Sequence, residues 1–356
     1  MAPIVRAGIC PSLFEDQMKP APLIFIHYGD ASYLGHVLRT ARLTNPEKRI
    51  VLLGDAANRK YTQGVADFVS FEDLAFGPDL ELFEKVFQPI QGARHRFNKL
   101  HGTDYWLRFV FRRWFLMANF LERDGIDAFW TFDSDTLVLA PLGSREARLA
   151  VYDCTEQCRG ECLNGYVSSS RIARDFVRMI NVLFQDEAYL QAQRERLETH
   201  LGLAFNEMDA YREFRARAGI RSIRLSEPYE GEVFDDALAF AEDYEENPTK
   251  LVGRTTVKRL WTGPHGGVFS RLKTGEGVRL LSANMSWMPL YLYRRLSLMA
   301  SSPKVEGAIG PCTYSPLLSI SYDEPMTDAA LRRLRLKLAP VEKIASQFLR
   351  RFKPCP

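Results

Sequence analysis

Residues 129–139 read FWTFDSDTLVL, so Asp133 and Asp135 stand inside an otherwise apolar run. Such a run is typical of a buried strand. Burying an unpaired carboxylate is costly, and two aspartates one residue apart on an extended chain project to the same side. One divalent cation could neutralise both and leave coordination positions open for a diphosphate. We therefore predict a Mn2+ or Mg2+ site at Asp133 and Asp135.

The composition of the chain is that of an ordinary globular protein. Its 356 residues are 46% hydrophobic and 26% charged, and the net charge is +3. This charge is too small to indicate a nucleic-acid partner, and none is expected. The first 20 residues hold no apolar run long enough for a signal peptide, and no window has the length of a membrane span. With only six cysteines in the chain, we expect a cytoplasmic protein in a reducing compartment.

Strand and helix patterns alternate along the first half of the chain. We predict strands at 22–28, 49–55, 67–71, 147–152, 163–167 and 220–225, and helices at 34–44, 105–123, 171–184 and 188–201. Residues 262–267 are predicted to form a loop, and 300–327 a linker. Alternating strands and helices favour a mainly parallel sheet with binding loops at the carboxyl ends of its strands.

The order of these features resembles the GT-A class of nucleotide-sugar-dependent glycosyltransferases. The resemblance rests on the His27-Tyr28-Gly29 turn after the first strand, the acid-ended second strand, the Arg113 helix that leads into Asp133-Ser134-Asp135, the Asn164-Gly165 turn and the 206–209 segment. It covers roughly residues 22–290. It implies an α/β, Rossmann-like GT-A fold with a mainly parallel central sheet flanked by helices. Residues 1–299 would be the catalytic domain, and 300–356 a linker and helical C-terminal extension.

The resemblance also implies an activity and a binding site. The protein would be a hexosyltransferase-like enzyme that moves a sugar from a UDP- or GDP-linked donor to a glycan or lipid-linked acceptor, in polysaccharide or glycoconjugate synthesis. The acidic triplet would hold the metal. The expected nucleotide-sugar-binding residues are His27, Tyr28, Gly29, Asp55, Arg108, Arg113, Asp133, Ser134, Asp135, Asn164 and Gly165.

Two further carboxylates, Glu207 and Asp209, are the catalytic candidates, with Asp209 placed first by the resemblance. In an inverting enzyme one of them would act as general base on the acceptor hydroxyl. In a retaining enzyme the same group would stabilise the reacting centre or form a covalent intermediate. The structural alternative is that one of them caps a helix that runs through Tyr211 and Phe214.

A third metal ligand is harder to place. Members of the class often carry a histidine near the end of the catalytic domain, whereas residues 281–285 of this chain read LSANM. His265, in a Gly-Pro-His-Gly-Gly loop, and Asn284 are the two substitutes. A site with fewer protein ligands is the third possibility.

Three cysteines, Cys154, Cys158 and Cys162, recur every four residues and would share one helical face. A tetrahedral zinc needs a fourth ligand, and no other cysteine or histidine lies nearby in the sequence. Packed thiols are the expected outcome, with a zinc or redox role as the alternative.

The C-terminal tail combines apolar and basic residues. Between residues 331 and 353 there are eight lysines and arginines and one glutamate, and apolar residues recur at intervals of three and four. A basic amphipathic segment can lie on an anionic membrane, so peripheral membrane contact is one expectation. Packing of the apolar stripe against the catalytic domain is the other.

Two other functions fit parts of the pattern. The order Asp133-Ser134-Asp135-Thr136 is similar to the nucleophile loop of haloacid-dehalogenase-like phosphatases, which form an aspartyl phosphate, although the usual glycine before the threonine is missing. A transferase-like fold that binds a glycan or a partner without chemistry is the non-enzymatic alternative.

Overall fold

The computed structural model describes residues 20–98, 101–247, 256–263, 266–300 and 318–319. Thirteen strands lie in these ranges: β1 (Leu23–His27), β2 (Ile50–Gly54), β3 (Asp67–Ser70), β4 (Phe129–Asp133), β5 (Thr136–Val138), β6 (Cys154–Gln157), β7 (Cys162–Val167), β8 (Ser222–Arg224), β9 (Glu232–Phe234), β10 (Leu260–Gly263), β11 (Gly266–Arg271), β12 (Gly277–Asn284) and β13 (Leu318–Ser319). The α-helices are α1 (Leu34–Thr44), α2 (Pro78–Val86), α3 (Asp104–Arg123), α4 (Gly143–Leu149), α5 (Ser170–Gln185), α6 (Glu187–Thr199), α7 (Glu207–Ala218) and α8 (Leu290–Ala300).

The larger sheet has seven strands in the order β3-β2-β1-β4-β7-β6-β8. Strands β3, β2, β1 and β4 are parallel to one another, β7 is antiparallel to β4 and β6, and β8 is parallel to β6. This mainly parallel sheet with flanking helices confirms the predicted α/β class.

Both faces of the larger sheet are buried, which its apolar strands require. In β1, Leu23 and Phe25 join one core with α1 and the second sheet, whereas Ile24 and Ile26 join another with α3 and α5. Successive side chains of a strand point to opposite faces of the sheet. A strand made only of apolar residues is therefore fully buried only when both faces are covered.

The second sheet pairs β13, β10, β11, β12 and β5 in that order, with β9 beside β12. Two residues separate the end of β4 from the start of β5, a strand of this second sheet. The chain therefore leaves the larger sheet at Asp133, turns at Ser134 and Asp135, and enters the second sheet at Thr136. A single strand does not run through both aspartates. Instead, they lie at the corner between the two sheets.

Helix α3 illustrates why most of the elements predicted from the sequence are present in the structure. Its N-terminus is capped by Thr103, whose Oγ1 accepts from the Trp106 N–H at 3.1 Å, and Gly125 follows its end with φ +61°. Ten of its side chains are buried, and they recur at helical spacing. The caps and the apolar stripe are local signals, so the sequence predicts this helix correctly.

Other predicted elements are wrong. The strand expected at 147–152 is not formed, because α4 occupies Gly143–Leu149 and Val151, an inward residue of such a strand, is 58% exposed. The three cysteines do not share a helix, since β6, a 3-10 turn and β7 hold them. Within the predicted 262–267 loop, β10 continues to Gly263 and β11 starts at Gly266.

Parts of the predicted tail and linker lie outside the described residues, including all of 331–353. Within the predicted linker, Leu318 and Ser319 form a short strand beside Thr262 and Trp261 of β10. No helix in the described part of the chain is both long and apolar enough to cross a membrane.

Candidate functional site

The site lies where the carboxyl ends of β1, β2 and β4 meet. In the sheet register His27 is the partner of Gly54, and Ile26 is the partner of Asp133. The loops after these strands therefore start side by side. The carboxyl-end edge of a parallel sheet is where ligands commonly bind in α/β proteins.

The loops after β1 and β2 are joined by hydrogen bonds. The Gly29 N–H donates to Asp55 Oδ2 at 2.7 Å, and Asn58 Nδ2 donates to the Gly29 carbonyl at 2.6 Å. Gly29 has φ +83°, a left-handed conformation that favours glycine. Asp55 thus holds the loop in place through one of its oxygens.

Beside this loop lies an exposed aromatic surface. Tyr28 is 40% exposed and Tyr105 is 53% exposed, and their ring centroids are 4.6 Å apart. The ring centroid of Phe109 lies 5.3 Å from that of Tyr28. An exposed aromatic pair at a strand end can stack on a planar ring.

Asp133 is bound by side chains from two other elements. Arg113 Nη1 of α3 donates to Asp133 Oδ1 at 2.9 Å, and Asn164 Nδ2 of β7 donates to Oδ2 at 3.4 Å. A small pocket lies here, lined by Ile26, Arg113, Trp114, Met117, Thr131, Phe132, Asp133 and Asn164. The structure thus brings together three of the residues predicted from the sequence.

Arg113 also connects this group to Glu207. Its Nη2 donates to Glu207 Oε1 at 2.9 Å. Glu207 is the first residue of α7, and burial raises the pKa of its carboxyl to about 7, an effect that the charge of Arg113 opposes. The pKa of Arg113 is raised by the charges of Asp133 and Glu207, which outweigh the effect of its burial.

Asp135 faces the second sheet and the loop that follows β12. Ser286 Oγ donates to Asp135 Oδ2 at 2.8 Å, and the Met285 N–H donates to the Asp135 carbonyl at 3.0 Å. The other carboxylate oxygen, Oδ1, is buried, and none of the described residues forms a hydrogen bond to it. Burial and the charge of Asp133 raise the pKa of Asp135 to about 6. An unsatisfied buried carboxylate oxygen is costly unless something else binds it.

Ser134 is held between His27 and Tyr33. His27 Nδ1 lies 2.8 Å from Ser134 Oγ, and the His27 and Tyr33 rings meet edge to face at 5.7 Å. Burial lowers the pKa of His27 to about 4, so this imidazole is neutral at pH 7. His27 therefore contributes a hydrogen bond to the turn, and no charge.

Asp209 has a different environment from Glu207. Its carboxylate accepts from Arg196 Nη2 at 3.0 Å and from Arg212, and its Oδ2 also accepts from the Asn206 N–H at 3.3 Å. Asn206 in turn caps α7, because its Oδ1 accepts from the Met208 and Asp209 N–H groups. The structure places Asp209 in a helix-capping and ion-pair arrangement.

Arg108 and Gly165 do not contact the cluster of Arg113, Asp133 and Glu207 in any interaction described for them. Arg108 forms an ion pair with Glu84, whose carboxylate also lies 2.8 Å from Arg112 Nε in a second ion pair. Gly165 has φ +92°, and a Cβ there would collide with Leu225 Cδ1 and Thr155 Oγ1. Gly165 is thus required by close packing between β7 and its neighbours.

The metal prediction can be compared with these donors. The described residues contain no group of three or more His, Cys, Asp and Glu side chains that could hold a metal, and His265 lies outside them. Asp135 Oδ1, to which no described residue donates, lies beside the charge of Asp133 and fits a divalent cation held by two carboxylates. Mg2+ is often bound in this way, with phosphate oxygens and water as its other ligands.

Several residues of the site were not predicted from the sequence. Asn58 joins the first two loops, Tyr33 covers the Ser134 turn and Ser286 contacts Asp135. Asn58 follows an aspartate by three residues, a capping spacing that could have identified it. The other two depend on contacts across the fold, for which no local pattern exists.

Comparison with known proteins finds similarity among solved structures. No protein-family model matches the chain, and no curated protein sequence matches it. Among solved structures, the chain is similar to one described as PaToxG glycosyltransferase, with a TM-score of 0.31 and 11% sequence identity. The match covers 56% of this chain and 79% of that one.

Proposed function

We propose that this protein is a GT-A-like glycosyltransferase that uses Mn2+ or Mg2+ and a UDP- or GDP-linked sugar. Its acceptor would be a glycan or a lipid-linked glycan, as in polysaccharide or glycoconjugate synthesis. One observation carries the proposal. The Asp133-Ser134-Asp135 turn lies at the carboxyl-end edge of a parallel sheet, next to the loops after β1 and β2. It holds a buried carboxylate oxygen that has no hydrogen-bond partner in the part of the chain that the structure describes.

In this proposal Asp133 and Asp135 hold the cation. When bound, the cation would neutralise the charge that develops on the nucleoside diphosphate as it leaves. Asp135 Oδ1 is available for this role, while Ser286 fixes the orientation of the carboxylate through Oδ2. Asp133 is paired with Arg113, so the guanidinium lies beside the proposed cation site. From there it could donate to a phosphate or to a sugar hydroxyl.

The nucleoside would bind over the loops after β1 and β2. Tyr28 and Tyr105 offer an exposed ring surface for the base. Asp55 accepts from the Gly29 N–H through Oδ2 and so fixes the loop that would hold the nucleoside. The Gly29 loop has no side chain to obstruct a nucleotide at this point, and no atom lies within 4 Å of a Cβ built there.

For the acceptor, the geometry favours Glu207 over Asp209 as the general base. Glu207 contacts Arg113, which contacts Asp133, so it belongs to the same cluster as the proposed metal site. A carboxyl with a pKa near 7 also accepts a proton more readily at neutral pH than an ordinary glutamate does. Both oxygens of Asp209 are already bound by arginines.

The phosphatase alternative has less support. Its nucleophile would be the first aspartate of the turn, and Asp133 Oδ1 already accepts from Arg113. The tests below nevertheless distinguish the two reactions by their products.

Nucleotide binding with and without metal is the first test. Thermal unfolding of the full chain would be followed with UDP, GDP and CDP and their sugar conjugates, each with Mn2+ or with EDTA. We expect one nucleotide series to raise the unfolding temperature only when Mn2+ is present. The same donor should then be hydrolysed slowly, releasing free sugar and the nucleoside diphosphate.

The Asp135→Asn variant tests the proposed ligand. It should fold, since it removes a charge whose burial is unfavourable, and it should lose the Mn2+-dependent shift and donor hydrolysis. Asp67→Asn, an exposed acid on β3 at the far edge of the sheet, is the matched control and should behave as wild type. Unchanged turnover in Asp135→Asn would refute the metal assignment. Nucleotide binding without turnover of any donor would favour the non-catalytic alternative, and release of phosphate from simple phosphomonoesters would favour the phosphatase.

A further inference from the structure

The cysteines that the proposed activity does not use lie on a tight hairpin. Strands β6 and β7 are antiparallel, and Gln157 is the register partner of Cys162. The turn between them is closed by the Glu161 N–H, which donates to the carbonyl of Gln157 at 3.1 Å and to that of Cys158 at 3.2 Å. Cys158 and Cys162 therefore stand at the two sides of one short turn.

The backbone of this turn is held in an unusual conformation. Cys158 has φ +51° and Arg159 has φ +61°, in the left-handed region that side chains other than glycine rarely adopt. The Asp236 carboxylate stabilises both residues, accepting from the Cys158 N–H at 2.9 Å and from the Arg159 N–H at 2.7 Å. Asp236 is only 6% exposed. The turn is thus fixed by a buried acid from a distant segment.

The fixed turn brings two thiols together. Cys158 and Cys162 are both free, and only the three residues of the turn separate them. Cys158 is partly exposed, whereas Cys162 is buried and lines a small pocket that Arg113 and Glu207 also line. Hydrogen bonding to Cys158 and burial raise the pKa of the Cys162 thiol, so this thiol is protonated at neutral pH.

We propose that Cys158 and Cys162 are a redox-active pair that forms a reversible disulfide across this turn. With hydrogen peroxide as oxidant, the partly exposed Cys158 thiol gives up its proton and its sulfur attacks one peroxide oxygen. The O–O bond breaks, Cys158 becomes a sulfenic acid, and the departing hydroxide takes up the thiol proton and leaves as water. The Cys162 sulfur then attacks the Cys158 sulfur, loses its proton and displaces a second water. In total, two thiols and one hydrogen peroxide give one disulfide and two waters.

This proposal is independent of the glycosyltransferase function, because it concerns the two thiols alone. Its site nevertheless lies close to the proposed active site. Asn164, which contacts Asp133, follows Cys162 by two residues in β7. Oxidation would replace the Cys162 thiol with a disulfide sulfur in the wall of the pocket beside Glu207.

Peptide mapping tests the pair directly. Trypsin cleaves after Arg148, Arg159 and Arg171, so Cys158 and Cys162 fall in two different peptides, 149–159 and 160–171. The full chain would be treated with hydrogen peroxide, alkylated and digested without reductant. We expect the two peptides to be recovered as one linked species that separates after treatment with dithiothreitol.

Single substitutions identify the linked cysteines. Cys158→Ser and Cys162→Ser should each abolish the linked species. Cys154 shares peptide 149–159 and packs against Tyr211 in the core, so Cys154→Ser is the matched control and should retain the link. In Cys162→Ser a sulfenic acid should accumulate at Cys158 and react with dimedone.

If Cys162→Ser does not fold, Cys158→Ser at the partly exposed position decides the question. Persistence of the link in Cys158→Ser, or overoxidation of Cys158 in wild type without a link, would overturn the proposal.

Discussion

Arg113 donates to Asp133 at 2.9 Å, which gives the carboxylate at the end of β4 a cationic partner from α3. The same guanidinium donates to Glu207 from its other terminal nitrogen. One arginine therefore connects the proposed metal ligand and the proposed base. Because all three side chains are largely buried, with exposed fractions of 20%, 28% and 13% in that order, the group is sensitive to the loss of any member.

The first prediction concerns the stability that Arg113 provides. Arg113→Met would leave Asp133 and Glu207 without their common cation, and breaking a largely buried ion pair on one side should lower the free energy of unfolding by about 3 kcal/mol. Urea denaturation at pH 7 measures this change. Arg108→Met is the control on the same helix, because Arg108 is 40% exposed and pairs with Glu84. It should cost less than about 1 kcal/mol. Equal losses in the two variants would contradict the central role of Arg113.

The second prediction concerns pH. The pKa of Glu207 is raised from 4.5 in the unfolded chain to about 7 in the folded protein, so the folded state holds the proton more tightly. Its contribution to stability is complete below pH 4.5 and is lost as the pH rises through 7. Between these two values wild type should lose about 1–3 kcal/mol more than Glu207→Gln, as measured by urea denaturation at each pH. Parallel curves for the two proteins would show that Glu207 is not the group responsible.

The third prediction separates the two candidate bases by kinetics. Glu207→Gln should lower the rate of sugar transfer by about 100-fold or more, which is typical of the loss of a general base. Asp209→Asn should change this rate by less than about 5-fold. It should instead lower the free energy of unfolding by about 1–2 kcal/mol, because Arg196 and Arg212 would then donate to a neutral amide and no longer to a carboxylate. The reverse result would assign the catalytic role to Asp209.

The fourth prediction tests the packing at Gly165. Gly165→Ala should lower the free energy of unfolding by about 3 kcal/mol, because the new methyl group collides with Leu225 and Thr155 in addition to the cost of positive φ. Gly219→Ala is the control, since Gly219 also has positive φ and no atom lies within 4 Å of its added Cβ. It should lose about 1 kcal/mol. The difference between the two variants measures the close contact alone.

Most of the larger sheet could be predicted because its signals are local. The strands β1 and β2 are continuous apolar runs, and α3 and α5 have both an apolar stripe and a capping residue. The predicted strand at 147–152 failed because its alternating apolar residues also fit one turn of α4, where only Leu149 is buried. A short segment with few apolar residues takes its conformation from its neighbours.

The sequence by itself determined the α/β class and placed Asp133 at the end of a buried strand. Only the tertiary structure decided how the carboxylates are used. Arg113 lies 20 residues from Asp133 and 94 residues from Glu207 in the sequence, yet it donates to both. Ser286, which donates to Asp135, lies 151 residues from it in the sequence. The periodicity of a segment reports which of its faces are buried. Which charged groups meet depends on strand order, register and helix packing, which bring together residues that no local pattern relates.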